Sequence, residues 1–550
     1  MHTTRRTVLR AGLVAGTAAL VPVATVIDAR PSAAAVIPAS NPFTLGVASG
    51  DPAPDGFVIW TRLALDPVAP DGLGGMPSSR YPVNWQVATD ERFADVVRAG
   101  AVQAGPASAH SVHVELQGLE PGREYWYRFR LGRHLSAVGR AVTTPALGSS
   151  PASLAMAFVS CSNFPAGYFT AYRRMAQEQP DLVLHLGDYQ YEGGGTGVGR
   201  AHVGPETKTL AGYRQRYGQY KSDEDLQAAH AAAPWLVVWD DHEVDNNYAD
   251  DMPEKPAEQP TFLERRAAAY QAYYENMPLR RRSVPAGPDL QLYRRVQWGD
   301  LANFHMMDTR QYRSDQACGD GYKDCPAAAD PARSLPGAEQ EQWLLDGFRR
   351  STARWDLLGQ QVFFGRRDNN PTAATTVSMD AWDGYPASRQ RVTQGWVDAG
   401  VRNPVVLTGD VHAHWASDLY LDYDNPGAVV GSELITSSIT SGGNGYDELD
   451  GRHPWADWNP NLRFWTNLRG YVSTTITRTE LTARFRCVPF VTTPGAEAFT
   501  RATFVLEDQV RGLQQVQDNP LPADVTARMA PRTDEQKIAD TIREETHGGE

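Results

Sequence analysis

Two common catalytic signatures are missing from this chain. It has no Gly-x-Ser-x-Gly elbow and no Walker loop, which removes the usual serine-nucleophile and nucleotide-cradling mechanisms. A basic excess is also missing. The 52 Lys+Arg against 65 Asp+Glu leave a net charge of −13, which argues against a general nucleic-acid scaffold. An anionic substrate stays open, because bound cations can reverse the local sign. After the first stretch, no run is long and apolar enough to span a bilayer, and the acidic balance gives no reason for adhesion to anionic membranes. No internal repeat is present. Cysteine is scarce, with four in 550 residues. Cys318 and Cys325 bracket the short loop CGDGYKDC and are expected to pair in an oxidising compartment. Cys161 and Cys487 are left over, either to pair with each other or to serve separately.

What is there begins with a leader. Residues 1–35 carry Thr4-Arg5-Arg6-Thr7-Val8-Leu9, an apolar run from Ala11 to Ile27, and the small residues Ser32–Ala35. That pattern is a twin-arginine signal peptide with a cleavage site. The run is broken by Gly, Thr and Pro22 and falls short of the roughly 20 strongly apolar residues of a membrane span. The expected partner is the twin-arginine export machinery, and the expected destination is extracellular. Proteins exported this way cross already folded, which favours a metal loaded beforehand.

The 550 residues imply two or three domains, and 41% hydrophobic with 10% aromatic content is ordinary for globular chains. Residues 40–146 alternate in short runs separated by Gly, Pro and Asp turns, the spacing of a β-sandwich. Leu119-Glu120-Pro121-Gly122-Arg123-Glu124-Tyr125 has the look of a tyrosine corner, as in fibronectin-type-III-like domains. A Pro/Ala/Gly/Ser linker follows. From 154 to 508 the texture turns to strand–helix–strand, which predicts an α+β domain of two sheets with flanking helices. Strands are expected at Ala155–Ser160, Leu182–Leu186, Trp235–Trp239, Val405–Thr408 and Asp418–Tyr423. Residues 509–550 form a polar tail, with a short lid helix expected at Val510–Gln517 and a mobile end at Lys537–His547.

Four of these strand ends carry reactive side chains. They are Ser160-Cys161-Ser162-Asn163, Gly187-Asp188-Tyr189-Gln190-Tyr191, Asp240-Asp241-His242-Glu243 and Gly409-Asp410-Val411-His412-Ala413-His414. Open α/β sheets bind ligands at the carboxyl ends of their strands. One such match could be helix capping, but four in series form a constellation. Asp188 can bridge two cations. Cys161 as thiolate and Tyr191 as phenolate favour ferric iron or another transition metal, and the carboxylates suit Ca²⁺. Paired metals polarise a phosphoryl group and activate water. His185 and His305 sit inside apolar runs and read as core residues.

This order of motifs resembles the calcineurin-like metallophosphoesterases, and most closely the PhoD-type alkaline phosphatases and phosphodiesterases, with their iron-dependent, phospholipase-D-like secreted relatives. The likeness covers nearly the whole chain after the leader. It implies a fibronectin-III-like β-sandwich followed by a two-sheet αββα catalytic domain. It implies Fe³⁺ held by Cys161, Asp188, Tyr191 and His412, and Ca²⁺ held by Asp188, Asp241 and Asp410, with Mn²⁺ or Zn²⁺ as substitutes. Cys161 stands where the wider superfamily has an Asp, a departure the PhoD-type enzymes share. His242 is expected to contact phosphate or the leaving group, with His414 and Asn163 as further catalytic candidates. Arg310 and Arg366 are candidates for substrate binding. The expected reaction is hydrolysis of phosphate mono- or diesters by metal-activated water, and the alternative is phospholipase D action on phosphatidylcholine-like lipids.

Overall fold

The apolar runs Ser153–Val159, Leu182–Leu186 and Pro234–Val238 lie side by side as parallel strands, with Val183 opposite both Ala157 and Trp235. Strands covered on both faces lack polar alternation, which is why these read as unbroken hydrophobic stretches. The helix Thr170–Gln177 makes the crossover between the first two, and Leu210–Lys221 and Glu224–Ala232 that between the last two. In this computed structural model, residues 36–372, 374–522, 529 and 532–546 are described. The export leader expected over 1–35 lies outside the described residues.

The parallel core grows at both sides into a ten-stranded sheet. On one side Arg469–Thr477 pairs antiparallel with Ser153–Val159, followed by Glu480–Val488, Phe499–Glu507 and Gln514–Asp518. On the other side Val47–Ala53 pairs in parallel with Pro234–Val238, with Ser49 opposite Pro234, and carries Gly56–Arg62 and Ser111–Glu115 along with it. The β-rich N-terminal domain therefore donates one of its sheets to the catalytic sheet. Its other sheet has five strands built on Tyr81–Ala88 and Glu124–Leu131. The tyrosine corner forms as expected, with the Tyr125 hydroxyl accepting from the Glu120 N–H at 2.9 Å.

A second, seven-stranded sheet runs in the spatial order Arg294–Trp298, Ala302–Met306, Trp355–Gly359, Pro404–Thr408, Gly431–Ile435, His414–Leu419, Leu462–Thr466. Its inward residues Phe304, Leu357, Leu407 and Leu434 share one core with Met156, Leu184 and Leu236 of the first sheet. Its outward residues Leu358 and Val406 pack instead with Phe348 and Trp396 of the helices Ala338–Arg350 and Pro386–Asp398. The period of two along each strand thus separates two cores, giving the expected αββα layering. A parallel bridge from Ser160 to Ser438 joins the two sheets at the ends of their strands.

Three expectations need correction. Val510–Gln517 forms no helix. Gln514–Asp518 is an edge strand, exposed at every residue, so no buried stripe marks its period. Lys537–His547 was expected to be mobile, yet Asp534–Thr546 is a helix with Lys537, Asp540, Thr541 and Glu544 buried; His547 lies outside the described residues. The strand expected at Asp418–Tyr423 runs from His414 to Leu419, where its neighbours on both sides can pair with it. Cys318 and Cys325 form a disulfide with a Cα–Cα distance of 6.2 Å, while Cys161 and Cys487 are buried and free. His305 bonds Asp356 at 2.9 Å and His185 bonds Tyr172, so both are core residues. Among the described residues, no helix is long and apolar enough to cross a membrane.

Candidate metal centre

The four reactive strand ends meet. The ladder between Ser153–Val159 and Leu182–Leu186 continues into their exit loops through Cys161 N–H to the Gly187 carbonyl (3.1 Å) and Ser162 N–H to the Asp188 carbonyl (2.8 Å). That continuation fixes Cys161 against Asp188 before any side chain is considered. From the second sheet, Asp410 and His412 arrive at the end of Pro404–Thr408. Ligand atoms of Cys161, Asp188 and His412 lie within 4.8 Å of one another, and so do those of Asp188, Asp241 and His242. Asp188 belongs to both groups. The Tyr191 hydroxyl sits 3.1 Å from Asp188 Oδ2 and 3.1 Å from His412 Nε2, inside the first group.

Backbone geometry marks the same place. Cys161, Asp188, Asp410 and His412 have φ values of 61°, 55°, 66° and 52°. Left-handed backbone costs a residue with a side chain about 1–3 kcal/mol, and such strain collects at functional sites. Here it falls on Cys161, Asp188 and His412, whose ligand atoms converge, and on Asp410 in the same exit loop as His412. The glycines before two of these residues are needed for close approach. A Cβ on Gly187 would lie 2.7 Å from the Asp240 nitrogen, and one on Gly409 would lie 2.7 Å from Ser160 Cβ.

Burial is the largest influence on the acidic groups of the set, and neighbouring charges add to it or oppose it. Burial, then the Asp188 carboxylate, pushes the Cys161 thiol well above its ordinary pKa. Burial, then Asp188 and Cys161, does the same to the Tyr191 phenol. Asp188 is raised by burial and by Asp241 and Asp240, against the pull of His242. Asp410 is raised by burial and by Asp240 and Asp380. Asp241 goes the other way. Burial opposes its charge, but Arg310 and His242 outweigh that and hold it low. Burial likewise opposes charge on His242, and Glu192, Asp241 and Asp188 together raise it well above an ordinary imidazole. Asp188 Oδ1, Asp241 Oδ1 and His412 Nδ1 are buried with no hydrogen-bond partner. Buried polar atoms without partners are costly, and a thiol, a phenol, imidazoles and carboxyls in one cluster are a donor set that fits cations.

The flanks of this cluster hold residues that the sequence reading did not assign. Glu192 accepts from His242 Nδ1 at 2.7 Å and fixes the imidazole so that Nε2 faces the cluster. Glu243 accepts the N–H groups of Asp188, Tyr189 and Asp240. Ser441 donates to the Tyr191 oxygen at 2.7 Å. Arg469, fully buried, donates to the His412 carbonyl and to Ser438 Oγ. Glu192 and Glu243 stood inside the motifs already singled out. Ser441, in a turn, and Arg469, at the start of the strand Arg469–Thr477, lie far along the chain and carried no local signal.

Residues 156–485 match the PhoD-like phosphatase family, and residues 29–145 match the PhoD-like phosphatase N-terminal domain. The chain belongs to the PhoD-like phosphatase family. It is 49% identical over 529 residues to alkaline phosphatase D of Bacillus subtilis (strain 168), covering 95% of this chain and 90% of the relative. A solved structure of PhoD superposes with a TM-score of 0.86 at 48% identity, covering 92% of this chain and 99% of that one. It is accordingly a phosphoric ester hydrolase.

A cavity of about 580 Å³ opens beside the cluster in this PhoD-like fold, lined by Asn163, Tyr191, Glu192, His242, the glycine-rich stretch 193–197 and, across from it, Arg543 and Glu544. Asn163 lines it, and the Asn163 Oδ1 is buried without a hydrogen-bond partner. Three other candidates stand elsewhere. His414 is fully buried outside the cavity lining, its Nδ1 accepts from the Ser437 N–H at 3.0 Å, and its ring packs edge-on against Phe485. It supports the strand rather than touching a reacting group. Arg310 is fully buried too, paired with Asp240 at 2.5 Å and Asp380 at 2.7 Å. Its guanidinium sets the charge of the carboxylates and does not line the cavity. Arg366 lines different cavities and is taken by Asp424, so the substrate-binding role expected of it does not fit its place.

Proposed function

We propose that this phosphoesterase is exported and metal-dependent, with Fe³⁺ held by Cys161, Asp188, Tyr191 and His412 and Ca²⁺ held by Asp188, Asp241 and Asp410. The observation that carries the reading is that Asp188 belongs to both groups of convergent ligand atoms. A thiolate and a phenolate on one side favour a transition metal, and the carboxylates Asp188 and Asp241 on the other, beside His242, favour a hard cation. The cations would supply Lewis acidity toward the phosphoryl group and toward water.

The chain's own residues supply the rest. Asn163 offers its amide to a phosphoryl oxygen from the cavity wall. His242, held at Nδ1 by Glu192, presents Nε2 to the departing oxygen and can pass it a proton. Arg310, bonded to Asp240 and beside Asp241, favours the ionised form of Asp241. The cavity receives the ester substituents, and its size admits monoesters and diesters alike.

Removal of iron and calcium by chelation should abolish turnover of both p-nitrophenyl phosphate and its bis ester, with recovery on adding both ions back. Undiminished turnover of either ester would sink the metal reading. The native ions are best read by metal analysis of protein exported from its own host, because cytoplasmic overexpression can load the wrong one. Export is tested by Arg5→Lys together with Arg6→Lys, which should leave the protein inside the cell.

A further inference from the structure

One continuous stretch of the cavity lining, Gly193 to Val198, is four glycines with Thr196 and Val198, so much of it is backbone. Residues 193–202, GGGTGVGRAH, fold back as a tight hairpin, with the His202 N–H on the Gly195 carbonyl (2.9 Å) and the Gly197 N–H on the Arg200 carbonyl (2.9 Å). The tip is tied to the neighbouring loop by the Val198 N–H on the Pro165 carbonyl (3.1 Å). Gly197 packs so closely on that carbonyl that no side chain fits there. Glycine is the most mobile residue in a free loop, so a wall of this composition holds its shape only if it is pinned.

His202 is the pin. Its Nδ1 lies 2.6 Å from the Gly193 carbonyl, and its Nε2 lies 3.0 Å from the Tyr220 hydroxyl. A carbonyl only accepts, so Nδ1 carries the hydrogen and Nε2 is the acceptor. Tyr220 must then donate to His202. That leaves its oxygen free to accept, and it receives the N–H of Phe164 at 3.0 Å and of Tyr191 at 3.2 Å. Every hydrogen-bonding position of the imidazole and the phenol is used once, in one consistent direction. Burial, then the Arg216 guanidinium, holds the His202 pKa down to about 3, in keeping with a neutral ring. Arg216 reinforces the pin by donating to the Gly193 carbonyl at 2.8 Å and to the Tyr191 carbonyl. A single chain of bonds therefore sets the distance between the hairpin and the two loops that bear Cys161, Asp188 and Tyr191.

We propose that His202 is a positioning residue that fixes the Gly193–Val198 hairpin as the wall of the ester-substituent subsite, and that this backbone wall selects substituents by size. The proposal rests on the cavity being the substrate site of the phosphoesterase. It predicts that the enzyme discriminates between diesters that share a leaving group and differ only in the group left behind. It also predicts that the discrimination can be moved in both directions. A Cβ on Gly195 meets nothing nearer than 4.0 Å, so a large side chain there is accommodated by the fold and narrows the cavity.

The test compares methyl p-nitrophenyl phosphate with bis(p-nitrophenyl) phosphate on the metal-loaded enzyme. Gly195→Trp should raise the KM of the bis ester relative to the methyl ester at least tenfold. His202→Ala, which frees the wall, should shift the same ratio about fivefold the other way. His202→Asn keeps a donor for Gly193 and should restore at least half of that shift. Thermal midpoints of the three variants report folding separately. Equal changes for both diesters in Gly195→Trp and in a folded His202 variant would overturn the proposal. Loss of both activities from the wild-type enzyme with its metals in place would instead overturn the assignment of the site.

Discussion

Glu243 accepts the backbone N–H of Asp188 at 3.1 Å, and through the same carboxylate those of Tyr189 at 2.6 Å and Asp240 at 2.9 Å. One side chain thus holds the exit loops of two neighbouring strands at the spacing the metal cluster needs. Glu243→Gln replaces one acceptor oxygen with a donor that faces an N–H. A buried amide left without its partner costs about 1–3 kcal/mol. The variant should unfold at correspondingly lower denaturant and retain less metal after dialysis, both measured against wild type.

Gly187 has φ 109°, and a Cβ there would press on the Asp240 backbone. Gly187→Ala can fold only by moving the Asp240–His242 loop away from Asp188. Displacement of a reacting group by about 1 Å can cost on the order of 100-fold in rate. The expected outcome is a fall in kcat/KM of about that size, with a far-ultraviolet circular dichroism spectrum like that of wild type.

Much of this arrangement was legible in the sequence. Strands covered on both faces must be apolar throughout, so Leu182–Leu186 and Val405–Thr408 stood out, and Asp188 and Asp410 after them could be placed at strand ends. Pairing partners were not legible. Nothing in Val47–Ala53 says that it joins Pro234–Val238 rather than closing a separate sandwich, because a strand edge carries no address. Gln514–Asp518 misled for a related reason. Its polar, exposed residues favour helix by propensity, and only the neighbouring Phe499–Glu507 edge makes them a strand. Ser441 and Arg469 act through contacts spanning the whole domain, and such residues look ordinary until the chain is folded. His414 shares the motif of His412 and yet turns into the core, so proximity in sequence over-assigned it.

Away from the cluster, acid stability should depend on Asp508. Its carboxylate bonds Arg402, Arg354 and Asn403, tying the end of Phe499–Glu507 to the second sheet. The Arg402 bond, with Asn403 and Arg354, holds its pKa down to about 2, below the roughly 3.9 of an unfolded chain. A depressed carboxylate stabilises fully above the unfolded value and loses that contribution as pH falls through the folded one. The contribution should therefore fade between about pH 4 and pH 2. Asp508→Asn should lower the urea midpoint at pH 6 and bring it close to wild type at pH 2, a difference that equal losses at both pH values would contradict.

Tyr191 offers the sharpest test of iron. Its oxygen takes a hydrogen bond from Ser441 at 2.7 Å while lying 3.1 Å from both Asp188 Oδ2 and His412 Nε2. A phenol that merely packed would not need to face two ligand candidates, and burial with Asp188 and Cys161 makes its ionisation unfavourable unless a cation compensates. If it binds ferric iron as phenolate, iron-loaded protein should show a broad visible absorption that Tyr191→Phe removes. Ser441→Ala deletes one hydrogen bond to the oxygen and keeps the phenol, so the band should persist with its maximum shifted. Colour that survives in Tyr191→Phe would assign the absorption to the Cys161 thiolate and take Tyr191 out of the ligand set. Iron-loaded wild type without any visible band would remove both.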